Sequence, residues 1–192
     1  MNTNKCTFGV SAGQFLGFMV HERGIEISQK TITAINKVVA PETKIELQSL
    51  IGKINFIRRF IANLSDKIQP FCSLLKLKAD QKFVWGEAQQ KTLDEIKQYL
   101  TSPPALVPPQ KHKPFKLYLS ADERAIGSAL IQEFEEKERA IYFVSRRILD
   151  TETRYSPVER LCLYLYFSCT KLRHYLLSAE CVVVSMDDVI RF

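Results

Sequence analysis

The spacing of apolar and polar positions divides the chain into a helical front and an α/β back. Phe15 to Val20 (FLGFMV) is a short apolar run and His21 to Gly24 supplies turn chemistry. Ile25-Glu26-Ile27 then alternates as a return strand, so the opening reads as a hairpin. Ser28 is placed to cap a helix over Gln29–Val38, which stops before Pro41. Thr43 and Glu46 form a capping box for a second helix, on which Leu47, Leu50, Ile54, Ile57 and Ile61 share one side. Pro70 to Leu77 reads as a short helix. Gly86 opens another, with Gln89 at its third position and Leu93, Ile96 and Leu100 as its buried side. Ser102-Pro103-Pro104 ends it and a Pro/Lys-rich stretch runs to Pro114. These signals predict a domain boundary near residue 110, dividing 1–110 from 111–192.

Beyond that boundary the period changes. Phe115–Leu119 and Ile126–Ile131 flank the polar turn Ala121–Arg124, and Arg139–Ser145 follows the acidic turn Phe134–Glu138 as a third strand. Ser156-Pro157-Val158-Glu159 is a helix N-terminus signature, with Leu161, Leu165, Ser168, Leu172 and Leu176 as the inner face. Lys171, Arg173 and His174 suit the negative end of that helix's dipole. Cys181 to Ser185 is a β-branched run and a fourth strand, ending in Met186-Asp187-Asp188. The fold class expected is α/β, in an α+β arrangement: basic helices, then three antiparallel strands, a helix and a fourth strand.

Composition changes this picture little. The 192 residues are 46% hydrophobic and 25% charged, as in folded proteins generally. No run approaches the roughly 20 apolar residues needed to span a bilayer, and MNTNKCTFGV is not built like a signal peptide. An intracellular location and no membrane partner are expected. Five scattered cysteines without a C-x-x-C pair, and three lone histidines, argue for reduced thiols rather than a zinc site or disulfides.

Charge adds more. Residues 1–114 hold 16 Lys and Arg against 9 Asp and Glu, while residues 115–192 hold 11 against 12. A basic front half is what a phosphate-backbone surface requires. On the second helix Lys44, Gln48, Asn55 and Arg59 share a face, with Arg58 beside them. Such a face suits contact with a duplex backbone, and a plain solvated face has the same pattern. Trp85, amid apolar neighbours, reads as an anchor for the helix after it rather than a base-stacking residue.

Lys5-Cys6-Thr7-Phe8, Phe15-Leu16-Gly17 and Gly24-Ile25 together resemble the end of the reverse transcriptase palm in gypsy-type retrotransposon polyproteins. Leu47–Gly52 and Arg59-Phe60-Ile61 resemble the thumb of those enzymes, and Phe83-x-Trp85 with Ser-Pro-Pro resembles their connection. Ile126–Leu130, Tyr142-x-x-Ser145, Tyr155 with Glu159, and Val182–Asp187 resemble their ribonuclease H-like domain. The resemblance implies a primer grip at Phe15, Leu16 and Gly17, and nucleic-acid contacts at Lys44, Asn55, Arg58 and Arg59. It implies an RNA–DNA hybrid or template–primer duplex as partner, together with the remainder of the polyprotein. The ribonuclease H-like domain is expected to be truncated at its C-terminus, leaving Val182–Val184 as an exposed sheet edge.

In that family, carboxylates from separate elements hold two Mg²⁺ about 3.5–4 Å apart for hydrolysis. By resemblance, Glu159 matches the helix ligand and Asp187 the fourth-strand ligand. Ser120 stands at the first-strand aspartate, five residues before Ala125-Ile126-Gly127. Asp122 is displaced by roughly 6.6 Å along the strand, against Mg–carboxylate bonds of about 2.0–2.1 Å. The later-helix ligand would lie past Phe192, and the palm's Tyr-x-Asp-Asp motif before Met1. Glu159 has a second explanation as the capping-box acid, and Asp187 and Asp188 have one as the solvated end of a strand. The reading is a fragment that binds template–primer without polymerising or cutting, Mg²⁺ being its cofactor only if the site is active. Two alternatives stand beside it: an active Mg-dependent hybrid ribonuclease, and a domesticated interaction module or inert relic.

Overall fold

The apolar run near the N-terminus does not form a single strand. Leu16 and Gly17 both take positive φ, +47° and +80°, the two-residue turn whose twist matches a β-hairpin. They join β1 (Ala12–Phe15) to β2 (Phe18–His21), and β3 (Gly24–Ile27) completes an antiparallel sheet in the order β1-β2-β3. Leucine rarely adopts this conformation, so nothing in the hydrophobic pattern marked the turn. In the computed structural model, residues 8–78, 81–121 and 125–185 are described.

Helices follow where caps and stripes placed them, with shifted ends. In α1 (Gln29–Asn36) the Thr31 N–H donates to the Ser28 hydroxyl. In α2 (Lys44–Phe56) the Glu46 N–H donates to Thr43 Oγ1, while the Glu46 carboxylate takes the Glu42 N–H at 2.9 Å. A 3₁₀ turn over Arg58–Phe60 ends α2 early but still carries Ile57 and Ile61 into the core. Then come α3 (Leu64–Lys67), α4 (Gln69–Leu75) and α5 (Glu87–Tyr99). Leu47, Leu50, Ile54, Leu93, Ile96 and Leu100 meet in one hydrophobic core. Trp85 is the expected anchor: its ring stacks on Phe71 at 5.5 Å and its indole N–H donates to Gln90.

The second sheet comprises β4 (Phe115–Ala121), β5 (Ala125–Phe134), β6 (Lys137–Arg147) and β7 (Cys181–Val184). Their order is β6-β5-β4-β7, with β7 parallel to β4 and the other pairs antiparallel. Glu135 and Glu136, at φ +49° and +63°, close a two-residue turn, so β5 and β6 run further than their apolar stretches predict. The capping box of α6 (Pro157–Lys171) is complete, and α7 (Arg173–Leu176) follows a break at Leu172. Phe115, Leu117, Leu130, Leu161 and Leu172 form the core between this sheet and α6. β7 pairs with β4 and with no other described strand, and Val182 is 57% exposed.

The two cores are joined through the other face of the sheet. Ala140 and Phe143 of β6 pack on the first core. The Ser65 N–H and hydroxyl both lie 3.1 Å from Ser145 Oγ. The Pro/Lys-rich stretch is tied down at both ends. Gly24, at φ +142°, leaves no room for a side chain against the Leu106 carbonyl, and Ile25 and Leu106 exchange backbone hydrogen bonds of 2.8 and 3.0 Å. Gln132, fully buried, takes the Gln110 N–H at 2.8 Å and donates to the Lys113 carbonyl at 2.8 Å.

Candidate nucleic-acid interface

The hairpin tip is braced from behind and open in front. A Cβ on Gly17 would lie 2.7 Å from Phe56 Cζ, so only glycine allows the turn to close on that ring. Phe18 stacks face to face on Phe56, with centroids 4.7 Å apart and planes 6° apart, and leans on Phe60 at 5.6 Å. The Thr31 hydroxyl donates to the Gly17 carbonyl at 3.3 Å. In front, Phe15 is 66% exposed and Leu16 74%. A rigid apolar tip of this kind can press on the sugars and base edges of a strand end.

The polar face expected on the second helix is divided by the structure. Asn55 and Arg58 are exposed, as is Gln48. Lys44 is turned inward, its ammonium donating to the Leu77 carbonyl at 2.9 Å beyond the end of α4. Arg59 is half-buried between two rings, 5.5 Å from the Phe18 centroid and 5.0 Å from that of Tyr142. The 3₁₀ turn accounts for Arg59, which it takes out of the helical period used to group it with Asn55, while Lys44 is drawn in by the Leu77 carbonyl. Phe56, 45% exposed, belongs beside the tip and went unremarked in the sequence. Its signal was an aromatic residue lying off the apolar stripe of its own helix.

The ribonuclease H-like positions lie elsewhere. Ser120 is exposed on β4, paired with Gly127. Leu117 and Leu119 are buried in the core against α6, so Ser120, alternating with them, turns to the opposite face. Glu159 sits at the start of α6, where its carboxylate accepts the Ser156 N–H at 2.8 Å. That bond and the Ser156 hydroxyl hold its carboxyl below the usual carboxylate range. Asp187 and Asp122 lie outside the described residues. Among the described residues no group of three His, Cys, Asp or Glu is placed to hold a metal. Of the matched positions, the two described ones supply a neutral hydroxyl and one carboxylate engaged in a helix cap, where two Mg²⁺ call for converging carboxylates.

Residues 85–183 match the family described as the RNase H-like domain found in reverse transcriptase. The chain belongs to that family. The Transposon Tf2-3 and Tf2-4 polyproteins of Schizosaccharomyces pombe are each 30% identical to it over 177 residues, 92% of this chain. The chain spans only 13% of the length of those relatives. The foamy viral protease–reverse transcriptase shares the fold. In its complex with dsDNA it superposes with a TM-score of 0.78 at 24% identity, covering 92% of this chain and 37% of that one. In its complex with an RNA/DNA hybrid the TM-score is 0.77 at 24% identity, covering 91% and 24%. The resemblance in the motifs and the match to the family therefore agree on an RNase H-like domain of a retroelement polyprotein. Among the described residues no helix is long and apolar enough to cross a membrane.

Proposed function

We propose that this chain is a nucleic-acid-holding portion of a retroelement reverse transcriptase, binding template–primer duplex or RNA–DNA hybrid without cutting it. The observation that carries the reading is the hairpin tip, where Phe15 and Leu16 stand exposed on a turn braced by Phe56 at the end of α2. Exposed Asn55 and Arg58 lie in the same stretch of chain as Phe56. An apolar tip beside neutral and cationic hydrogen-bond donors suits a strand end and its phosphates. The fold shared with foamy viral enzymes bound to dsDNA and to RNA/DNA hybrid supports it. In this reading residues 1–110 make the contacts and residues 111–192 serve as the scaffold. The remainder of a polyprotein is the natural partner, and the place of action is intracellular.

The test is fluorescence anisotropy of labelled hybrid with the purified chain across a salt series. Binding that weakens linearly in log–log form with salt is expected, and no retention at low ionic strength counts against the reading. Incubation of the hybrid with Mg²⁺ should release no fragments. Cleavage by the wild type would establish an active ribonuclease instead. Cleavage by Ser120→Asp alone would attribute the silence to the missing first-strand carboxylate.

A further inference from the structure

The end of α6 and the start of β7 bring two thiols to one side of the second core. Cys169 lies four residues after Leu165 and three before Leu172, the spacing that places side chains on one helical face, and all three pack into that core. Cys181 is the register partner of Phe115 in the parallel β4–β7 pair, so the two side chains leave the sheet on the same side. Phe115 is buried in the same core, and Cys181 packs against that core from the sheet edge. Both thiols are free and half-buried. Burial pushes each of them up, and Cys169 adds to the effect on Cys181, as a close neighbour does. The other described thiols stand apart. Cys162 is exposed, about 10.5 Å up the helix axis from Cys169, and Cys72 belongs to α4.

We propose that Cys169 and Cys181 are a reversible redox site, closed to a disulfide by a peroxide, which pins the edge strand β7 to α6. The proposal is independent of the nucleic-acid reading above. β7 is four residues long and, among the described strands, is held by β4 alone, so its attachment is the weak point of this sheet. The chemistry balances with hydrogen peroxide as oxidant. One thiolate attacks a peroxide oxygen, the O–O bond breaks, the departing hydroxide is protonated to water, and a sulfenic acid remains. The second thiol, giving up its proton, displaces hydroxide from that sulfur, forming the S–S bond and a second water. The two cysteines together lose two electrons and two protons, and the peroxide is reduced to two waters. Burial keeps thiolate scarce at neutral pH, so the pair stays reduced until oxidant is supplied. A dithiol reductant reopens the bond by thiol–disulfide exchange.

The test treats the purified full chain with hydrogen peroxide, blocks the remaining thiols with N-ethylmaleimide and maps the peptides by mass spectrometry. The expected product is a monomer in which the peptides carrying Cys169 and Cys181 are joined and both cysteines escape the maleimide. The link should persist in Cys162→Ser and vanish in Cys169→Ser and in Cys181→Ser. It should raise the Tm by about 5–10 °C, and dithiothreitol should abolish the rise. Circular dichroism confirms that each variant is folded, and the wild type with Cys162→Ser decides the outcome if a serine at the pair disturbs the core. Recovery of both cysteines as maleimide adducts from the oxidant-treated folded chain, or joining no faster than in urea, overturns the site. Joined peptides without a rise in Tm overturn the pinning of β7.

Discussion

The guanidinium of Arg59 lies 5.0 Å from the centre of the Tyr142 ring, joining the end of the first helical core to β6 of the second sheet. Phe18 holds its other side at 5.5 Å, and Tyr142 in turn leans on Tyr175 of α7 at 6.1 Å. One planar cation thus ties the Leu16-Gly17 hairpin to the RNase H-like sheet.

Arg59→Ala should cost about 1–3 kcal/mol through two lost cation–π contacts and the packing of the side chain. Arg59→Lys should fall between, because an ammonium cannot stack on both rings as a planar guanidinium does. Urea midpoints of Arg59→Ala, Tyr142→Leu and the double variant should give a coupling of about 0.5–1 kcal/mol. Simple additivity would mean that the ring and the cation do not support each other.

The turn at Leu16-Gly17 makes two opposite predictions. Gly17→Ala should destabilise by about 1–3 kcal/mol, since alanine meets both a positive φ of +80° and the Phe56 ring. Leu16→Asn should stabilise the turn by about 0.5–1 kcal/mol, asparagine being suited to φ +47° where leucine is not. The same Leu16→Asn change should weaken hybrid binding, because it replaces the exposed apolar tip. Thermal melts paired with anisotropy would show the two effects diverging, and an unchanged affinity would remove Leu16 from the interface.

Inside the second core, the Ser168 hydroxyl meets that of Ser128 at 2.9 Å, linking α6 to β5 with both side chains buried. Ser168→Ala should cost about 1–3 kcal/mol by leaving Ser128 unpartnered, whereas the double alanine variant should recover much of the loss. Denaturant titration of the single and double variants checks this. A double variant as unstable as the sum of the singles would show that the hydroxyls matter for packing instead.

Acid should act partly through Glu152. Its carboxylate accepts both Arg146 guanidinium nitrogens at 2.8 and 2.9 Å and the Leu149 N–H at 2.8 Å. The Arg146 bond first, and the Leu149 N–H after it, hold its carboxyl below the usual range. The folded state therefore binds its proton later than the unfolded chain does. This contribution is fully present above the unfolded value of about 4.3 and is lost as pH falls through the lower folded value. Glu152→Gln should cost about 1–3 kcal/mol at pH 7, where Arg146 loses its charged partner. The gap to wild type should narrow as urea midpoints are measured at successively lower pH. A constant gap would show that the pair does not sense the proton.

Much of the architecture was legible because it is written in local chemistry. The capping pairs Thr43–Glu46 and Ser156–Glu159, the stripe Leu47–Leu50–Ile54, and the β-branched run at Cys181 each carry their own signal within a few residues. The family resemblance placed Ser120 at the end of its strand, one residue past the apolar run Phe115–Leu119, and the motifs pointed to the family that residues 85–183 match. The domain division at residue 110 came from composition, yet buried Gln132 and the Ile25–Leu106 bridge bind that stretch to both sides.

Contacts across distant parts of the chain were not legible. Charge and helical spacing put Lys44 and Arg59 on one surface with Asn55 and Arg58. The fold instead gave Lys44 to the Leu77 carbonyl and Arg59 to two rings, one of them 83 residues further along the sequence. The Leu16-Gly17 turn was hidden because leucine has no preference for positive φ, and its cause lies in Phe56 and Thr31 pressing on Gly17 from the helices. By itself the sequence determined which segments become helices and strands and which family motifs they carry, since those depend on neighbours within a turn or two. Tertiary structure alone decided which cations stay free for a ligand, because a charged side chain takes whichever carbonyl, carboxylate or ring the folded chain brings to it.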